Sequence, residues 1–124
     1  MTAVELFAVA IAGGVGAVAR FVLDGFIRDT VKASYPIGTT VINVSGSFLL
    51  GLVTALALGA VLSDDWRLII GTGFLGGYTT FSTASFETVR LVQTRRYAAA
   101  LSNGLGMLVA SVCAAALGYW LGSL

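Results

Sequence analysis

Polar and apolar positions along the chain divide it into four long apolar stretches separated by short polar ones. No charged residue occurs from Ala33 through Ser63, from Leu68 through Phe86, or from Tyr97 through Leu124. A helix that crosses a membrane needs about 20 mainly apolar residues, so these are three spans. A fourth runs over about 5–23 and is interrupted by Arg20. The pattern predicts spans at about 5–23, 37–62, 68–90 and 97–122. The joining loops are "DGFIRDTVKASYP" (24–36), a tight polar turn "SDDWR" (63–67) and "QTRR" (93–96). The short loops leave no room for a soluble domain, so residues 1–124 form one membrane domain with both termini on one side.

Composition agrees with the pattern. The chain is 57% hydrophobic and 10% charged, with mean hydropathy +0.94; a soluble domain sits near ~25% charged. "AVARF" at 17–21 resembles a signal-peptide cleavage site, but no Lys or Arg precedes Arg20, and a signal peptide opens on basic residues. The first segment is therefore read as a span. Net charge is +1 with no basic tail, which gives nucleic acid no surface to bind. Cys113 is the only cysteine and His is absent, so there is no internal disulfide, no metal-ligand cluster and no nucleophile–base pair. An enzyme is not expected.

The third span departs from the others. "GTGFLGGYTTFSTASFE" (71–87) places four glycines, four threonines and two serines inside an apolar segment. Glycine costs about 1 kcal/mol in a helix relative to Ala, and β-branched Thr adds to this, so 76–80 is a weak helix. Two readings apply. Gly73 and Gly77 form a GxxxG spacing for close helix packing, as Ala12 and Gly16 do in the first span. Alternatively the helix is broken near the midplane, where unwound backbone holds ions. Thr39, Asn43 and Ser47 share one face of the second span, as interhelical glue or as a polar track. Asn103 and Ser111 share a face of the fourth with Met107 and Ala115. No carboxylate sits mid-span, which disfavours a cation path or proton relay. Amide and hydroxyl groups, with the positive edge of Phe81, suit a small anion.

"GGVGAVARF", "PIGTTVINVSGSFLLG" and "GFLGGYTTFSTASFE" together resemble the Fluc (CrcB) fluoride channels, in order and over nearly the whole chain. The resemblance implies an all-α membrane protein of four transmembrane helices, the third broken near the midplane, in the cell inner membrane. It implies an antiparallel dimer with two fluoride pathways and a structural sodium ion at its centre. The backbone carbonyls of Gly76 and Thr79 would face the sodium. Asn43, Phe81, Ser82 and Thr83 would face fluoride, joined by Ser111 on the fourth span. Arg20 and Glu87 are the charged residues of the first and third motifs; Arg20 is read as structural, near enough to pair with Asp24. The family usually has a second phenylalanine where this chain has Ala84, and Phe86 lies on another face. Met107 and Ala115 deplete the track of the fourth span.

Basic residues are unevenly distributed. Arg28, Lys32, Arg95 and Arg96, with Arg20 and Arg90 close by, face Arg67 alone across the membrane. Basic loops stay cytoplasmic, so the termini are expected outside. An antiparallel homodimer needs both insertions of one sequence. The bias and Ala84 therefore favour a heterodimer with an oppositely biased relative. Two rivals remain: a non-conducting subunit, and a small multidrug resistance-type exporter, for which Glu5 is the sole first-span carboxylate.

Overall fold

The computed structural model describes residues 1–124, which are almost wholly helical, with no strands. We number the helices α1 (Ala3–Thr30), α2 (Ile37–Leu58), α3 (64–78), α4 (Phe81–Gln93) and α5 (Tyr97–Gly122). Four of the five starts have a local cause. Thr2 and Glu5 close a capping box on α1, with N–H···O distances of 3.0 and 3.2 Å. Pro36, which has no N–H to lose, precedes α2. The Ser63 hydroxyl accepts from Trp66 N at 3.3 Å and opens α3. Thr80 does the same for α4 through Thr83 N at 3.1 Å. In α3 over 68–75 and in α5 over 102–106 the turns widen to π-type geometry.

Two expected loops turn out to be helical. Residues 24–30 extend α1, because Asp24 and Arg28 pair one turn apart at 3.0 Å and support the extra turns. Residues 64–67 form the first turn of α3, where Arg67 meets Asp64 at 2.8 Å. Three helices, α1, α2 and α5, are long and apolar enough to cross a membrane. At about 1.5 Å per residue, α3 reaches ~22 Å and α4 ~20 Å, so neither spans ~30 Å of hydrocarbon alone.

Packing rests on two parallel pairs. Val9, Gly13 and Gly16 of α1 meet Gly73, Gly77 and Tyr78 of α3 in ascending order. A Cβ on Gly16 would collide with the Phe74 carbonyl oxygen, and one on Gly77 with that of Gly13. Both small-residue pairs legible in the sequence, Ala12 with Gly16 and Gly73 with Gly77, therefore lie on one interface. The second pair, α2 with α5, uses Gly51 against the Ala115 carbonyl and Gly118 against the Phe48 carbonyl. Ile42, Leu75 and Tyr78 form the core where the pairs join. At the basic end, Arg96 donates to the Ser34 carbonyl at 2.8 Å, which ties the first and third loops together.

Candidate ion pathway at the helix break

The chain leaves helical geometry at Thr79 (φ −80°, ψ 157°) and Thr80 (φ −145°, ψ 117°). This is the downstream end of the weak stretch; Gly76–Tyr78 stay helical. In an unbroken helix the N–H of Thr80 would bond the Gly76 carbonyl, and that of Thr83 the Thr79 carbonyl. Both are diverted. Thr80 N donates to Asn43 Oδ1 at 2.8 Å, and Thr83 N donates to Thr80 Oγ1 at 3.1 Å. The carbonyls of Gly76, Tyr78 and Thr79 accept no hydrogen bond. The Gly77 carbonyl accepts from Arg20 Nε at 3.2 Å. Opposite them, the N–H groups of Phe81 and Ser82 open α4 with no partner. The break thus sets a carbonyl-rich helix end against an amide-rich one, negative against positive.

Asn43 holds this geometry. Its Nδ2 donates to the Thr80 carbonyl at 2.8 Å while its Oδ1 accepts from Thr80 N, a reciprocal clasp on one residue's backbone. The other Nδ2 hydrogen goes to Met107 Sδ at 3.2 Å. Thr79 returns its hydroxyl to the Leu75 carbonyl at 2.9 Å.

A cavity of about 890 Å³ runs beside the break between α2, α3, α4 and α5. It gathers Asn43, Gly76, Thr79, Phe81 and Ser111 of the expected site, with Ser47 from the Asn43 face. Ala84 and Met107 line it too. None of its lining residues is charged. Phe81 is 87% exposed on the isolated chain. Ser82 and Thr83 are not among the lining residues: Ser82 is exposed, and the Thr83 hydroxyl lies 3.0 Å from Thr80 Oγ1. Thr39 is buried at 2% exposure away from it. Thr83, Phe86 and Glu87 line a second cavity of about 930 Å³ with Arg28, Lys32 and Arg90. Phe86 does occupy a different face from Phe81 and Ala84.

Arg20 does not pair with Asp24, which is taken by Arg28. Arg28 also reaches Glu87 at 3.5 Å and links α1 to α4. Sequence reasoning took Thr80 for its hydroxyl and missed its backbone as the partner of Asn43, and it undervalued Asn103. That side chain is 0% exposed. It donates to Thr88 Oγ1 at 2.8 Å and to the Ala84 carbonyl at 3.3 Å, which fixes α4 to α5. An amide deep in an apolar run was the available signal for it.

Comparison with known proteins shows the family. Residues 7–119 match the family model described as CrcB-like protein, Camphor Resistance (CrcB). The chain is similar to "Fluoride-specific ion channel FluC 1" of Leifsonia xyli subsp. xyli, 64% identical over 124 residues, which cover 100% of this chain and 90% of that protein. It is similar to "Fluoride-specific ion channel FluC 2" of Cutibacterium acnes, 50% identical over 93% of this chain and 94% of that one. A third relative, "Fluoride-specific ion channel FluC 3" of Bifidobacterium longum, is 46% identical over 90% and 92%. The chain belongs to the CrcB family.

Proposed function

We propose that this chain forms a passive, fluoride-selective channel, a multi-pass protein of the cell membrane that lets cytoplasmic fluoride escape. One observation carries the reading: a charge-free cavity brings amide, hydroxyl and aromatic groups together at a broken helix. The names of its relatives, fluoride-specific ion channels, supply the ion. Moving an isolated ion into low dielectric costs tens of kcal/mol in the Born limit. The amide-rich start of α4 and the edge of Phe81 offset part of that for an anion. Fluoride is compact and accepts hydrogen bonds strongly, so a few fixed donors replace its water.

In this reading α3 and α4 together make the fourth span, with the break near the midplane, and residues 1–124 act as one domain. The carbonyls of Gly76 and Thr79, left without hydrogen bonds, fit a sodium ion, which prefers oxygen donors. Bound there, sodium would supply a fixed positive charge beside the anion route. Ser82, Thr83 and Glu87 join the route only where it continues beyond the cavity. Arg20, bonded to Gly77, is structural. Glu5 belongs to the cap of α1, which removes the carboxylate that a proton-coupled exporter would need.

Two chains, inserted in opposite orientations, would close the cavity where Phe81 stands exposed. At one end of the bundle lie Arg28, Lys32, Arg90 and Arg96; at the other lies Arg67, paired with Asp64. That asymmetry and Ala84 favour an oppositely biased partner over a homodimer. Fluoride efflux from liposomes containing this chain alone tests the function: selective efflux supports it, and tight liposomes with a folded dimer overturn it. Tagging the C-terminus in cells making only this chain tests the partner. One-sided signal supports a heterodimer, and equal signals with full efflux restore the homodimer.

A further inference from the structure

Asn43 has two N–H hydrogens and a carbonyl oxygen, and each has a different duty. One hydrogen and the oxygen clasp Thr80 at 2.8 Å each. Releasing them would return the Thr80 N–H to the Gly76 carbonyl and close the break. The second hydrogen faces only the thioether of Met107, 3.2 Å away. A thioether is a weak acceptor, and a methionine side chain is unbranched and readily moved. Met107 is 6% exposed on the chain, and both residues line the cavity of about 890 Å³. This hydrogen is the one donor on Asn43 that an ion can take without undoing the break.

Asn43 is the amide that the family resemblance sets toward fluoride; we infer that Met107 is a displaceable cover on this second N–H, holding it until a small, hard anion arrives. The inference rests on reading the cavity as a fluoride route. It turns Met107 from a gap in the polar lining into the residue that sets anion affinity there. Displacement requires the anion to be a better acceptor than a thioether and small enough to enter beside Thr80. Fluoride meets both conditions; a large, weakly accepting anion fails both.

The test uses the purified full-length chain titrated with sodium fluoride at constant total sodium. The Asn43 side-chain amide is followed by ¹H–¹⁵N NMR and assigned by its loss in Asn43→Asp. Fluoride efflux is measured in parallel. Met107→Leu keeps an apolar side chain of related size and removes the acceptor; the half-saturating fluoride concentration should fall about fivefold, the worth of one modest hydrogen bond. Met107→Gln keeps the length and strengthens the acceptor; it should rise about fivefold. A cover acting by bulk alone would leave both variants near wild type. Half-saturation within about twofold of wild type in both, or an amide that ignores fluoride, overturns the inference. If the amide shifts and the variants order as stated while liposomes stay tight, the cover stands and the channel reading falls. Normal efflux with Met107 variants that behave alike overturns the inference and leaves the channel reading standing.

Discussion

The two halves of the broken segment are held by different forces. Upstream, α3 lies along α1 with backbone against backbone, Gly77 on the Gly13 carbonyl and Gly16 on that of Phe74. Its position follows from shape. Downstream, α4 is held largely by side-chain hydrogen bonds: Asn43 on Thr80, Asn103 on Thr88 and Ala84, Arg28 on Glu87. Shape gives a rigid platform, while discrete polar ties give a segment that single substitutions can release. An ion site needs both, one end fixed and the other able to adjust its donors.

The upstream half breaks most severely. Gly77→Val adds a branched side chain where even a Cβ collides with backbone, and overpacking of this kind costs about 1–3 kcal/mol, often more. The expected result is loss of the folded protein in detergent, measured by size-exclusion profile and thermal unfolding; a normal profile would mean α1 and α3 are not in contact. Asn43→Asp comes next. It removes both donors and places a carboxylate beside the break, so fluoride efflux should fall more than about tenfold, with a stability loss of about 1–3 kcal/mol. Efflux near wild type would take Asn43 off the route.

Asn103→Leu tests the tie between α4 and α5 alone. Loss of two hydrogen bonds should lower stability by about 1–2 kcal/mol and raise amide exchange in Phe81–Gln93 without raising it in 64–78. Equal exchange in both halves would erase the contrast between them. The smallest effect lies outside the segment. Ala60 sits at φ 59° in the turn after α2, a left-handed conformation that costs a non-glycine residue about 1–2 kcal/mol. Glycine's greater freedom in the unfolded chain offsets part of that gain. Ala60→Gly should raise the unfolding midpoint slightly and leave efflux unchanged.

Much of this was legible in the sequence. The runs without charge gave the helices, and the spacings of Ala12 with Gly16 and Gly73 with Gly77 marked one interface. The glycines and threonines of 76–80 marked the weak helix, although packing against α1 moved the break to its downstream edge. What stayed hidden is partner choice. A polar residue in an apolar run announces that it needs a partner but not which one. Asn43 was therefore read as an ion ligand without its clasp on Thr80, and Arg20 was assigned to Asp24 instead of the Gly77 carbonyl. Ser82 and Thr83 were grouped with Phe81 through the family motif, and on this chain they do not line the cavity that Phe81 lines.

The interleaving of the two parallel pairs has a consequence for biogenesis. The partner of α1 is α3, and the partner of α2 is α5, so each helix must skip its sequence neighbour to find its mate. While the ribosome works, Gly51 in α2 has nothing to pack on until Ala115 is made. At ~5–20 residues per second, the roughly sixty residues between them take about 3–12 s. During that interval α2 depends on lipid or the insertion machinery for cover. A chain halted in the third loop therefore holds one finished pair and one helix still without its mate, which makes the last helix to be synthesised the step that commits the whole subunit.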